Sequence, residues 1–249
     1  CIKALAGIDL VYHPDRLKYP LRRAGGRGEG KWQRISWDEA LNIIADRLNG
    51  IKGEYGAEAV ALGQGSARHH YFFVPRFANA FGTPNWCEPG LAQCYLPRAM
   101  ASVTTYGDFF VCDYYGDVNP QCLLVWGHDP LTGGSGGEIM ARVRECLNKG
   151  PKLIVVDPRR TKLAEKADIW LQLRPGTDDA LALSMMNVII NEKLFDREFV
   201  ERWTIGFDKL VERVQKYPPK WAEEITWVPA GKIEGAARIY AMTKPACVE

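Results

Sequence analysis

Residues Lys152 to Leu181 read KLIVVDPRRTKLAEKADIWLQLRPGTDDAL. The stretch opens on an apolar run, Leu153 to Val156, with the length and β-branching of a buried strand. It passes through Asp157-Pro158-Arg159-Arg160-Thr161 into a brief helix expected over Lys162 to Lys166. A second strand is expected from Ile169 to Leu173, ending at Arg174-Pro175-Gly176-Thr177-Asp178. Two acidic turns therefore stand just past two buried strands. In a parallel α/β sheet that edge is where nucleotides bind. A carboxylate there accepts from ribose hydroxyls or from the N–H groups of a guanine edge. The alternative is that Asp157 and Asp178 only cap the next helices, since Asp is a favoured N-cap.

Together the two turns carry more than either alone. The stretch resembles the molybdopterin oxidoreductases of the dimethyl sulfoxide reductase class, which carry a DPR-x-T turn and a PGTD turn at about this spacing. The resemblance implies that both turns lie against the guanosine end of a bis-pterin guanine dinucleotide cofactor. Asp157, Arg159 and Thr161 of the first turn, and Gly176 and Asp178 of the second, would then be cofactor-binding residues. In that family the cofactor is clasped between two α/β domains.

At 249 residues the chain has room for one large or two modest domains, and 47% hydrophobic residues are enough for a real core. A net charge of +2 argues against a broad nucleic-acid surface. The longest apolar run, Ala180 to Ile190, is interrupted by Ser184 and Asn187 and is too short to span a bilayer. The seven cysteines, at 1, 87, 94, 112, 122, 146 and 247, are scattered and odd in number, which is not a disulfide framework. Cys122 in a strand and Cys146 in a helix read as small buried apolar residues. The chain opens on Cys1 rather than Met and reads as an internal piece of a longer protein, with the compartment open between cytoplasm and periplasm.

The N-terminal segment is turn-rich. Tyr12-His13-Pro14-Asp15-Arg16-Leu17 leads to Arg22-Arg23 and the glycines at 25, 26, 28 and 30. It is similar to the family segment that follows the last cysteine of a [4Fe–4S] site within C-x-K-G; here the equivalent is Cys1-Ile2-Lys3-Ala4, with Ala4 in place of glycine. The resemblance implies that Cys1 is the fourth cluster ligand and that Lys3 helps electrons pass between cluster and pterin. A cluster needs four thiolates, so Cys1 holds none by itself.

Ser36 with Glu39 makes a capping box, and Leu41, Ile44, Ala45 and Leu48 follow at helical spacing, which predicts a core-facing helix. Ala57 to Leu62 reads as a strand aimed at Gly63-Gln64-Gly65-Ser66. The adjacent pair His69-His70 cannot both face one metal on a helix and reads as surface or pocket rim. A helix over Tyr71 to Ala80 should stop at Gly82, with Pro84 beyond.

Gly82-Thr83-Pro84-Asn85 then precedes Trp86-Cys87-Glu88-Pro89-Gly90-Leu91-Ala92-Gln93-Cys94-Tyr95. In the family a G-T-x-N turn leads to the side chain that binds the metal, and Cys94 stands at the matching distance. The resemblance implies molybdenum or tungsten held by the dithiolene sulfurs of two pterin guanine dinucleotides, a setting where one more soft thiolate is apt. Cys87 is the competitor, and both thiols being packed and inert is the plain alternative. Tyr95 stands where formate dehydrogenases of the family carry His, which argues against formate chemistry. The Cys-x-x-Pro-Arg run looks more like acetylene hydratase and the thiosulfate or polysulfide reductases. Arg98 would attract an anionic substrate or, more plainly, form a salt bridge on its helix.

Cys122 to Trp126 reads as a buried strand ending at Gly127-His128-Asp129-Pro130, and a glycine-rich turn leads into a helix over Glu138 to Asn148. Strand, glycine turn and helix form a phosphate-cradling layout. The family has G-x-N-P at this turn; Asp129 replaces Asn, which puts residue 129 in doubt as a phosphate contact but leaves Gly127 as one. After Asp178, helices are expected over 180–191, 207–214 and 231–242, with a break at Tyr217-Pro218-Pro219 and a strand from Ala246.

The fold expected is α/β: a turn-rich segment over 1–35, part of one α/β domain over 36–94, and a Rossmann-like domain with a parallel sheet over 95–249, incomplete at its C-terminus. The resemblance implies a two-electron redox or oxygen-atom-transfer enzyme acting on a small molecule, with an iron–sulfur subunit as electron partner. A non-redox hydratase on the same scaffold and an inactive truncated piece are the alternatives.

Overall fold

The computed structural model describes residues 5–65, 71–90, 93–94, 96–109, 119–132 and 137–249. The chain divides into two compact units, Cys1–Phe110 and Val111–Glu249.

The first unit opens with α1 (Gly7–Val11), which the sequence pattern does not announce, and an antiparallel hairpin of β1 (Leu21–Arg23) and β2 (Trp32–Arg34). Next comes α2 (Trp37–Tyr55), started by the expected cap: Ser36 Oγ accepts from the Glu39 backbone N–H at 3.1 Å. The expectation that α2 packs into a core is overturned, because no residue of the helix is buried and Leu41 and Ile44 are 58% and 55% exposed. Among the described residues its chief neighbour is the short 3₁₀ turn Ala57–Ala59, too small to cover an apolar stripe.

That 3₁₀ turn also replaces most of the strand expected over 57–62. Ala and Glu are weak strand formers, and the extended run shrinks to β3 (Leu62–Gly63). β3 pairs in parallel with β4 (Trp86–Cys87), and α3 (Phe73–Phe81) connects them. α3 ends as expected at Gly82, which adopts the left-handed φ of 95° while its N–H donates to the Ala78 carbonyl. The Thr83 hydroxyl donates to the Val60 carbonyl at 2.6 Å and the Asn85 amide to Glu58 at 2.6 Å, so the Gly-Thr-Pro-Asn turn is tied back onto the 3₁₀ segment. α4 (Leu96–Tyr106) follows.

The second unit is built on four parallel strands: β5 (Cys122–Trp126), β6 (Lys152–Val156), β7 (Ile169–Leu171) and β8 (Ala246–Val248), in spatial order β7-β6-β5-β8. Their unbroken apolar runs are what a sheet covered on both faces requires. Side chains alternate between the faces. Cys122, Leu124, Ile154, Val156 and Leu171 enter one core with Leu181, Met185, Val188, Ile233 and Ala237. Leu123, Val125, Leu153 and Val155 enter the other with Leu163 and Ala164. The first core is covered by α6 (Asp178–Asn191), α9 (Pro219–Thr226) and α10 (Ala230–Met242). α5 (Gly137–Asn148) makes the crossover from β5 to β6, and α7 (Arg197–Trp203) and α8 (Phe207–Val214) lie between α6 and α9.

The break expected at Tyr217-Pro218-Pro219 is the start of α9. Its two prolines open the helix, with Pro218 at the cap and Pro219 in the first helical position, where a missing N–H is harmless.

Ile154 is fully buried in the middle strand of the β5-β6-β7 set. Ile154→Ala is expected to lower stability by about 2–5 kcal/mol, through lost transfer energy and the cavity left behind. A urea midpoint equal to wild type would contradict this packing.

Candidate functional site

The chain runs β5, β6, β7 across the sheet in one direction and then returns to place β8 on the other side of β5. The order therefore reverses at β5, and in open α/β sheets ligands bind outside the carboxyl ends of the strands near such a reversal. Gly127 follows β5, Asp157 follows β6 and the 174–178 turn follows β7. Adjacent strands lie about 4.8 Å apart. All six sequence-expected cofactor residues of this unit, Gly127, Asp157, Arg159, Thr161, Gly176 and Asp178, thus stand on one edge.

Their side chains are arranged unequally. Asp157 is 1% exposed and points into its own turn. Its Oδ1 accepts from the Arg159 backbone N–H at 2.7 Å and from Arg159 Nε at 3.3 Å, and its Oδ2 from Nη2 at 3.2 Å. Its carbonyl accepts from Trp170 Nε1 at 2.8 Å, and Pro158 accepts from Gln172 at 3.0 Å. The Thr161 hydroxyl accepts from the Ala164 N–H at 3.0 Å and starts the 3₁₀ turn Ala164–Lys166, which is shorter than the helix expected there. What this locked turn presents to solvent is Arg159. The hydrogen bonds that Arg159 donates to Asp157, and then the charge of Asp157, push the Arg159 pKa up, with Asp129 adding to the same field. Asp129 itself is turned inward, accepting from the Thr132 hydroxyl and from the Leu131 N–H at 3.3 Å.

Asp178 behaves differently. It is exposed in the first turn of α6, and its Oδ1 accepts from Trp126 Nε1 at 2.8 Å. Trp126 ends β5, two strands away from β7, so this contact crosses the end of β6 and draws the outer turns together. Neither Asp occupies the N-cap position of a helix. The α6 cap position is Thr177, whose hydroxyl donates instead to the Arg174 carbonyl at 2.6 Å. Gly127 and Gly176 have φ of 63° and 81°, and an added Cβ at either meets open space, so the backbone geometry alone requires glycine. Gly127 N–H donates to the Val156 carbonyl at 2.8 Å, continuing the ladder one residue past the strands.

Trp126 and Trp170 are the contributors that sequence reading missed. Each sits in a strand and reads as core filling; only the pairing of the indole N–H with a turn oxygen gives it a positioning role. If Trp126 holds Asp178, Trp126→Phe and Asp178→Ala should each lower stability by about 1 kcal/mol, and the double variant should lose little more than either single one. Additive losses in a urea denaturation cycle would show that the two side chains do not interact.

In the first unit, Cys94 is an exposed free thiol in a π-helical turn with Gln93. Such turns recur at functional sites. Cys87, on β4, is also exposed and free, so accessibility does not separate the two. Cys122 and Cys146 are buried as expected, and burial pushes the Cys122 thiol up to about 11, keeping it neutral. Among the described residues no three His, Cys, Asp or Glu side chains gather into a metal cage. A soft, exposed thiol such as Cys94 suits a metal whose other ligands come from a cofactor. Arg98 has no carboxylate partner among the described residues; its guanidinium lies 5.0 Å from the Phe109 ring centre, so the expected salt bridge gives way to a cation–π contact. Cys1, Lys3, the His69-His70 pair, Tyr95 and the glycines at 133, 134 and 136 lie outside the described residues. No helix among the described residues is long and apolar enough to cross a membrane.

Comparison with known proteins agrees with this architecture. The family model "Molybdopterin oxidoreductase" matches residues 16–235. Acetylene hydratase of Syntrophotalea acetylenica is 42% identical over 251 residues, covering 100% of this chain and 34% of that protein. The thiosulfate reductase molybdopterin-containing subunit PhsA of Salmonella typhimurium is 36% identical, with 98% and 32% covered. Dimethyl sulfoxide reductase DmsA of Escherichia coli is 32% identical, with 100% and 34% covered. The solved acetylene hydratase from Pelobacter acetylenicus superposes with a TM-score of 0.79 at 41% identity, over 100% of this chain and 34% of that one. The chain spans about a third of the length of the relatives it matches. With the family model matching most of its length and a parallel α/β sheet carrying the expected turns, the chain belongs to the molybdopterin oxidoreductase family.

Proposed function

We propose that this chain supplies the guanosine-binding edge and the metal-binding thiolate of a molybdenum or tungsten bis-pterin guanine dinucleotide enzyme. The observation that carries the reading is the gathering of the Gly127, Asp157–Thr161 and Gly176–Asp178 turns at one strand edge, with Asp178 exposed and held by Trp126. Asp178 accepts from donors on the guanosine. Arg159, kept charged by Asp157, offsets the negative charge of the dinucleotide. Gly127 and Gly176 let the backbone approach the ligand. Cys94 is the protein ligand to the metal, with Cys87 as the less favoured candidate.

When bound, the metal supplies two-electron exchange, or polarises a substrate without electron transfer. The reading preferred for the whole protein is redox or oxygen-atom transfer on a small substrate. Cys1 would give the fourth thiolate of a [4Fe–4S] cluster, Lys3 would lie between cluster and pterin, and an iron–sulfur subunit would be the electron partner. Two of the relatives are named as reductases, one of them as a molybdopterin-containing subunit, which supports this reading. The second reading, a non-redox hydratase, is favoured by the 42% identity to acetylene hydratase and by the Cys-x-x-Pro-Arg run at Cys94.

One assay separates them. The full-length parent is mixed with a reduced viologen dye and either a sulfoxide, thiosulfate or acetylene. Substrate-dependent dye oxidation is expected; acetaldehyde formed from acetylene with no net dye oxidation would establish the hydratase instead.

A further inference from the structure

The turn that ends in Asp178 begins at Arg174, and Arg174 is tied to a residue far along the chain. Its backbone N–H donates to the Thr226 carbonyl at 2.8 Å, and its guanidinium lies 5.2 Å from the ring centre of Trp227. Trp227 is unusual in two ways. It follows α9 in a left-handed conformation, φ 65° and ψ 7°, which disfavours any residue with a Cβ and which glycine normally fills. Its indole is also 67% exposed, although Thr226 and Val228 on either side are fully buried. A bulky residue on strained backbone contributes nothing to the core there. What it does contribute is a ring face under Arg174.

Arg174, in turn, has no carboxylate partner among the described residues, unlike Arg159 or Arg238. Its charge is steadied by an aromatic face, which orients a guanidinium while leaving its N–H groups free to donate. A planar fork of uncommitted donors at the carboxyl edge of a parallel sheet suits a phosphate. Gly176, with its left-handed φ, and the Thr177 hydroxyl donating to the Arg174 carbonyl fix the backbone of the turn that joins Arg174 to Asp178.

We propose that Trp227 and Arg174 form a phosphate arm of the nucleotide site. Arg174 donates to a phosphate of the guanosine nucleotide whose base or ribose Asp178 contacts, and Trp227 is the positioning residue that holds the guanidinium in place. The inference rests on the nucleotide reading of this edge given above.

The test uses the full-length parent freed of its cofactor, with GDP and, separately, guanosine as probes, titrated by calorimetry or NMR. Trp227→Gly should weaken GDP binding about three- to tenfold while leaving the melting temperature unchanged or higher, because glycine relieves the left-handed strain. Trp227→Phe keeps a ring and should bind GDP nearly as wild type does. Arg174→Ala should weaken GDP about tenfold or more. Guanosine affinity should not change in any of the three. GDP affinity unaltered in both Trp227→Gly and Arg174→Ala would overturn the proposal while leaving the Asp178 site intact, provided Asp178→Ala still weakens binding. Sensitivity to Arg174 and Trp227 but not to Asp178 would keep the phosphate arm and overturn the role of Asp178. A cofactor-free wild-type parent that binds neither probe overturns both.

Discussion

Cys94→Ala in the full-length parent is expected to lower turnover by at least about a hundredfold, with the protein still folded. Second-shell partners of a metal site alone are worth about 10–100-fold, and a direct ligand sets a lower bound above that range. The residue sits in a π-helical turn, free and exposed, in a unit whose described residues offer no other cage of metal-binding side chains. Cys87→Ala is the control, because that thiol is equally exposed and lies on β4. A Cys87→Ala variant that loses activity while Cys94→Ala keeps it would transfer the ligand role. Full activity in both would mean that neither thiolate binds the metal.

The second large effect concerns the 249-residue chain by itself. It spans about a third of its relatives' length, and the cofactor of the resembled family is clasped between two α/β domains. On the function proposed above, the strand edge of the second unit would contact the dinucleotide on one side only, and every tenfold loss of affinity corresponds to about 1.4 kcal/mol of missing contacts. The apolar face of α2, with Leu41, Ile44, Ile51 and Tyr55 exposed, adds surface that favours association. Expressed alone, the chain is therefore expected to purify with far less than one molybdenum or tungsten per chain and to self-associate. Elemental analysis with light scattering measures both. A monodisperse monomer with stoichiometric, pterin-bound metal would show that one side of the clamp suffices.

Much of the second unit was legible in the sequence, and the reason is physical. Cys122–Trp126 and Lys152–Val156 are unbroken apolar runs that only a sheet covered on both faces stabilises, so their identity as parallel strands follows from composition. Ser36 and Gly82 act as local caps whose chemistry is complete within a few residues. What was hidden depends on distant partners. The periodic face of α2 signals that something should cover it but not what does, and the described residues leave it bare. α9 was masked because Pro218-Pro219 reads as a break until the first turn of a helix is seen to tolerate it. At the site, the turns were legible as motifs, but their division of labour was not. Asp157 turns inward because Arg159 supplies both a backbone and a guanidinium donor, whereas Asp178 faces outward because Trp126, 52 residues earlier, holds one of its oxygens. A side-chain contact across three strands leaves no periodic trace in the sequence.

The central claim is that Cys94 binds the metal of a molybdopterin site built on this chain. X-ray absorption at the metal edge of the purified full-length parent tests it most directly, comparing wild type with Cys94→Ser. One metal–sulfur vector should be replaced by a shorter metal–oxygen vector, because serine keeps the geometry but changes the donor atom. Indistinguishable spectra for the two proteins, each loaded with metal, would contradict the assignment.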